Sequence, residues 1–282
     1  MDPSGTPVVV GIGDKQPTAL RFALREAHRN GTGLRVVHSA GLPAQAVAGD
    51  AGVEIFQGLR EAGQKVLDDA QHFIEQEVTP VAVAYVLTTL GPIEALEAGS
   101  REASTVVIGA DNISWPDRLL GGAIASHVAL HAACPVVVVP ERSYPALRGG
   151  VVIALDGDTP ANGPLRFAFE QAAARGDALH VLHAIPPATT QSDAEAIRAN
   201  IGGVLAGWSD TYPEVRVLLS FPVDEADDAC VRATDRSELV VVGRPHGHGL
   251  PFVLARPLAA DVLRHARGPV AVVPADYTGA QT

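Results

Sequence analysis

Cysteine is almost missing from this chain, with only Cys134 and Cys230 in 282 residues. Two thiols exclude a disulfide framework, and neither belongs to a CxxC or mixed Cys/His metal pattern. Both stand in apolar surroundings that suit a small buried thiol. Aromatic residues make up 5% of the chain, and lysine is confined to Lys15 and Lys65. Positive charge is also scarce: 21 Lys and Arg face 32 Asp and Glu, for a formal net charge of -11. The arginines are scattered and form no basic face, which argues against nucleic-acid binding. The longest apolar runs are of strand length, too short to span a bilayer. The opening MDPSGTPVVVGIG lacks the basic n-region and long apolar h-region of a secretory signal. The expectation is a soluble cytoplasmic protein with no membrane association.

What is present is a packed α/β pattern, 47% hydrophobic and 19% charged, on a chain long enough for two domains. The organising stretch runs from Thr105 to Pro140. Val106 to Ile108 is a short run of the buried parallel-strand type that stops at Gly109. A polar loop follows, Gly121-Gly122 open a helix, Cys134-Pro135 break it, and Val136 to Val139 form another buried strand. The same arrangement returns between Glu238 and Pro274.

Upstream, Pro7 to Ile12 reads as a first strand, with a helix capped by Thr18. Leu34 to His38 reads as a second strand, followed by a helix from about Val53 to Val78. Val81 to Leu87 is a third strand, and Ile93 to Ser100 a further helix. This alternation specifies a parallel sheet with helices on both faces.

Self-comparison shows a tandem duplication. Leu20 to Ala27 (LRFALREA) matches Leu165 to Ala172 (LRFAFEQA), and Leu34 to Ala40 (LRVVHSA) matches Leu179 to Ile185 (LHVLHAI). Val8 to Pro17 likewise answers Val151 to Pro160. The period is about half the chain, and the charged, proline-bearing segment Pro140 to Gly150 is the linker. Domains at 1–142 and 148–282 follow.

Each half resembles the universal stress protein (UspA-like) domain, and the chain as a whole resembles its tandem two-domain form. The likeness covers nearly all of both halves. Its most specific part is His131 to Val139 (HAACPVVVV), repeated more loosely at His265 to Val273. The resemblance implies two flavodoxin-like, adenine-nucleotide α-hydrolase-like domains, each a five-stranded parallel sheet. It also implies a stress-response role, and a site for ATP built from an Asp after strand 1, a backbone contact after strand 2, and G-x-x-G-x9-G-[S/T] after strand 4. In such a motif glycines turn backbone N–H groups onto phosphates, and a hydroxyl and helix amino terminus complete the cradle.

Carried over by position, the first half offers Ile12 and Ser39 around the base and Gly109, Asn112, Gly122 and Ala123 around the phosphates. The second offers Asp156, Ala184, Gly243 and Arg256. The departures are specific. Asn112 replaces a glycine, Ala123 replaces the hydroxyl, and Gly13 replaces the strand 1 acid, with Asp14 behind it. In the second half His246 replaces a glycine, and Arg256-Pro257 stand where G-[S/T] belongs. Arg256 is itself a charged donor able to hold an anion.

Three readings stay open. One is a binding or regulatory module with altered pockets. Another is an ATP-binding member with slow hydrolysis. The third is a ligand-free scaffold for an unidentified protein partner. The likeness further implies pairing of the two halves through Val136 to Val139 and Val270 to Val273, and is compatible with a homodimer.

No catalytic set stands out. A Ser-His-Asp arrangement and a GxSxG elbow are absent, and Thr88, Thr89 and Ser126 have no evident activating base. His246-Gly247-His248 lies on a glycine-rich loop without further ligands at metal spacing. His127 and His131 stand four apart on one helix, without the Glu of HExxH, and read as a partly exposed helix edge. No metal is expected. His38 and His183 occupy the same repeat position and read as structural, bonded to backbone at a strand end. The acidic cluster Asp224 to Asp228, placed after strand 4 of the second half, suits the amino terminus of a helix.

Overall fold

The computed structural model describes residues 5–14, 16–41, 50–110, 118–141, 149–155, 161–244 and 258–279, with backbone alone at 50–53 and 118–123. The chain divides into two compact units, within residues 1–142 and 143–279.

In the first unit β1 (Val8–Gly11), α1 (Pro17–Arg29), β2 (Leu34–Ser39), α2 (Asp50–Gln76), β3 (Val83–Thr88), α3 (Pro92–Ser100), β4 (Thr105–Gly109), α4 (Arg118–His131) and β5 (Val136–Val139) alternate strictly. The strands lie in the order β3-β2-β1-β4-β5, all parallel, with Val8 opposite both Leu34 and Thr105. The second unit repeats this with β6 (Val151–Ala154), α5 (Asn162–Arg175), β7 (Leu179–Leu182), α6 (Gln191–Thr211), β8 (Val217–Ser220), α7 (Ala226–Thr234), β9 (Leu239–Gly243), α8 (Leu258–His265) and β10 (Val270–Val273). Its order is β8-β7-β6-β9-β10, again parallel. Each unit is the doubly wound five-stranded sheet expected from the alternation.

The valine runs explain why. Val8, Val9 and Val10 are fully buried, as are Val106, Val107, Val240 and Val241. A strand covered on both faces has no use for polar alternation. Right-handed crossovers from β1 through β3 place α1 and α2 side by side. The reversed progression from β3 to β5 sends α3 and α4 together to the other face. The second unit pairs α5 with α6 and α7 with α8 in the same way. A hydroxyl pins the second helix pair of each unit. Ser100 donates to the Glu97 carbonyl and accepts from the Ala133 N–H, at 2.7 and 2.9 Å. Thr234 does the same with Val231 and Arg267, at 2.6 and 3.0 Å.

Three local expectations need correction. Thr18 does not cap α1: the helix starts at Pro17, after Gln16, because proline lacks the N–H that the first position would leave unpaired. Gly121 and Gly122 do not open α4, which already begins at Arg118. The acidic cluster follows β8, the third strand of its unit and not the fourth. Asp227 and Asp228 lie in the first turn of α7, and Asp224 pairs with Arg232. Among the described residues no helix is long and apolar enough to cross a membrane.

Candidate functional site

In an open doubly wound sheet, the chain leaves the central strand in opposite directions. The resulting crevice lies outside the strands' carboxyl ends. Here that point falls between β1 and β4 in the first unit and between β6 and β9 in the second.

The first crevice is rimmed by Ile12, Gly13, Gly109 and, at the end of β2, Ser39. Ile12 is buried, and its N–H donates to the Val37 carbonyl at 3.0 Å. Its own carbonyl accepts from His38 Nδ1 at 2.8 Å. The Ser39 hydroxyl donates to the Leu90 carbonyl at 2.6 Å and accepts from the Gly41 N–H. The Ile12 main-chain groups and the Ser39 hydroxyl are thus already bonded within the protein.

Gln16 changes the crevice most. Its Oε1 accepts from the Gly13 N–H at 3.0 Å, and its amide presses on Gly109 so closely that a Cβ added there would lie 2.8 Å from Cδ and Nε2. Gly109, the strand-end glycine expected to admit a ligand, is approached by the chain's own side chain. Glu141, just after β5, has a matching role at α1. Its carboxylate accepts from the Thr18 N–H at 3.2 and 3.4 Å, and its carbonyl accepts from the Thr18 hydroxyl at 3.0 Å. The helix amino terminus thus receives an anion from within the protein.

Beside this rim a cavity of about 330 Å³ opens between α1 and α2. Leu20, Val66, Ala70 and Phe73 give it an apolar wall, and Asp14, Gln16 and Asp69 stand at its polar side.

Of the remaining expected positions, Gly122 and Ala123 are the fifth and sixth residues of α4. Their backbone N–H groups therefore fall past the four that a helix leaves unpaired. Asn112, Asp156 and Arg256 lie outside the described residues, as do His246, His248 and Pro257.

In the second unit Ala184 follows β7. His183 Nδ1 donates to the Leu155 carbonyl at 2.8 Å, repeating the His38 bond. Gly243 ends β9, where a Cβ would make only ordinary contact with Pro164, at 3.5 Å. Ala161 precedes α5 where Gln16 precedes α1, so that position carries no amide.

Sequence reasoning missed Gln16 and Glu141. Neither had a local signal, because each acts on chain far from it in sequence.

The fold agrees with that of known proteins. The model of the universal stress protein family matches residues 6–140 and 149–203. The universal stress protein Rv2623 of Mycobacterium tuberculosis is 29% identical over 290 residues, covering 94% of this chain and 95% of that protein. A universal stress protein of Mycolicibacterium smegmatis is 26% identical over 284 residues, covering 94% and 96%. Among solved structures, a universal stress protein of Archaeoglobus fulgidus superimposes with a TM-score of 0.67 over 96% of this chain and 97% of that one. At 16% identity it speaks for the fold.

Proposed function

We propose that this chain, which belongs to the universal stress protein family and carries its domain twice in tandem, serves as a stress-response binding and regulatory module and does not turn over ATP. The observation that carries the reading is the Gln16 amide seated on Gly109 and bonded to the Gly13 N–H. A nucleotide gripped in the family manner needs that backbone surface free, because phosphate oxygens bond to N–H groups that no side chain has claimed. Glu141 adds to the case, since a carboxylate bound at the start of α1 repels a second anion nearby. The sequence supports it further: Asn112 and Ala123 in the first half, and His246, Arg256 and Pro257 in the second, stand where the motif wants glycine or a hydroxyl. Pairing of the halves through Val136 to Val139 and Val270 to Val273 belongs to the same reading, on the β-branched, uncharged sequence of those strands.

The test is calorimetric titration of the full chain with ATP and Mg²⁺, beside an assay of phosphate release. The expected results are an affinity weaker than about 1 mM and release no faster than without protein. Micromolar binding that disappears in Gly122→Arg while the fold is retained would overturn the reading in favour of an ATP-binding member.

A further inference from the structure

The packing of α3 against α4 brings Glu97 to two histidines 30 and 34 residues further along the chain. His127 and His131, four apart on α4, share one face, as that spacing requires. Their rings stack at 4.2 Å with a 26° angle between planes. Glu97 reaches them from α3, its Oε1 3.1 Å from His127 Nε2. One donor atom from each of the three residues lies within 4.8 Å of the other two. We propose that Glu97, His127 and His131 form a binding site for a divalent transition-metal cation of the zinc class on the first unit.

The chemistry of the donors selects the cation. Two imidazole nitrogens and one carboxylate oxygen suit zinc and its neighbours, whereas calcium and magnesium take oxygen alone. Three protein ligands leave a fourth position for water. The second shell is already in place at His131. Its Nδ1 lies 2.8 Å from the His127 carbonyl, which can only accept. The proton therefore sits on Nδ1, and in the neutral ring the lone pair is on Nε2, as metal-ligating histidines are commonly held.

Glu97 is steadied too. Its carbonyl receives the Ser100 hydroxyl, which itself accepts the Ala133 N–H just beyond α4, so both helix ends are fixed to each other. Tetrahedral zinc with bonds of about 2.0–2.2 Å spaces its ligands about 3.4 Å apart. Glu97 and His127 are nearly there. His131 is exposed and, with all three donors within 4.8 Å, has at most about 1.4 Å to close by side-chain rotation.

The second unit supplies a control within the same chain. Thr234 makes the Ser100 bonds, and His265 Nδ1 bonds the Asp261 carbonyl at 3.0 Å as His131 bonds His127. The matching trio is therefore Val231, Asp261 and His265. Valine offers no ligand, and Asp261 pairs with Arg264 at 3.7 Å. The scaffold repeats without the donor set, so the expected stoichiometry is one cation per chain.

The experiment uses the full, untagged, metal-stripped chain titrated with zinc chloride by calorimetry, then cobalt(II) followed by visible absorption. One equivalent should bind. Glu97→Gln should weaken it at least tenfold, and His127→Asn with His131→Asn should abolish it. His246→Asn with His248→Asn should leave it unchanged. Zinc-edge X-ray absorption of the unsubstituted complex should show two imidazoles and no sulfur, a readout that does not depend on any variant folding. Absence of zinc binding at 100-fold excess overturns the proposal, as does undiminished binding in the His127/His131 variant. Loss of binding with the His246/His248 variant, or a sulfur ligand, does so too.

Discussion

The two units share strand order, handedness and hydroxyl pins, yet they differ at two places where a ligand would meet them. At the strand ends, Gln16 closes over Gly109 and Glu141 binds the start of α1. At the corresponding sites the second unit has Ala161, and Gly163 packed so closely that a Cβ would lie 2.3 Å from the Pro274 carbonyl.

Along the seam of the first helix pair, Val66, Ala70 and Phe73 leave a cavity. Counting back from the ends of α2 and α6, the second unit places Ile201, Leu205 and Trp208 there. Ile201 and Leu205 are buried, and Trp208 stacks on Phe169 and Tyr212. The lesson is that duplication preserved the backbone solution and let the side chains at the crevice and seam diverge. The fold's requirements are met by valine strands and short pins, which leave those positions free.

The comparison can be broken most forcefully at the seam. Leu205→Ala, in the filled unit, should cost about 2–5 kcal/mol by opening a cavity. Ala70→Leu, its mirror in the first unit, should stay within about 1 kcal/mol of the unsubstituted chain or exceed it, because the space is already there. Urea denaturation measures both, and equal losses would refute the difference in packing.

The pins sharpen the likeness instead. Ser100→Ala and Thr234→Val each strip a part-buried main-chain N–H of its acceptor, and each should cost about 0.5–1.5 kcal/mol. A large loss in one unit and none in the other would show that the repeat is not equivalent.

A smaller effect separates the units by pH. Glu170, which replaces Arg25 of the first repeat, is held above its usual carboxylate range by burial. The Tyr277 hydroxyl bond and the Arg166 charge pull it only partly back. Because the folded value is raised, this group's contribution to stability is full below its unfolded value of about 4.5. It is lost as pH rises through the folded value. Glu170→Gln, which keeps an acceptor for Tyr277, should flatten that dependence in a series of thermal melts. An unchanged slope would count against the burial.

The smallest expected effect is no reaction at all. Burial, with Asp227 nearby, pushes the Cys230 thiol up to about 12, and Cys134 is also buried. A thiol reagent at pH 8 should label neither until denaturant is added.

Much of the fold was legible. Strand runs such as Val136 to Val139 are set by continuous burial, and the helix face of α2 by its apolar spacing, so both depend on local sequence. What depended on distant chain was not. Thr18 looked like a cap because hydroxyls cap helices, but its partner is Glu141, 123 residues away. Gly121-Gly122 looked like a helix start because glycine disfavours helix interiors, yet α4 runs through them. His127 and His131 are the exposed helix edge that their spacing suggested, but the approach of Glu97 from α3 was out of reach of local sequence. Gln16 had no local pattern to mark it, since its target is the end of a strand 93 residues on.

The most direct test of the central claim is native mass spectrometry of the full chain, freshly purified without added ligand. The claim is that this pair of universal stress domains has filled its own nucleotide crevice. The expected spectrum is that of the polypeptide free of any adenine nucleotide, with or without one divalent cation. A nucleotide-bearing species that vanishes with Gly122→Arg would contradict the account.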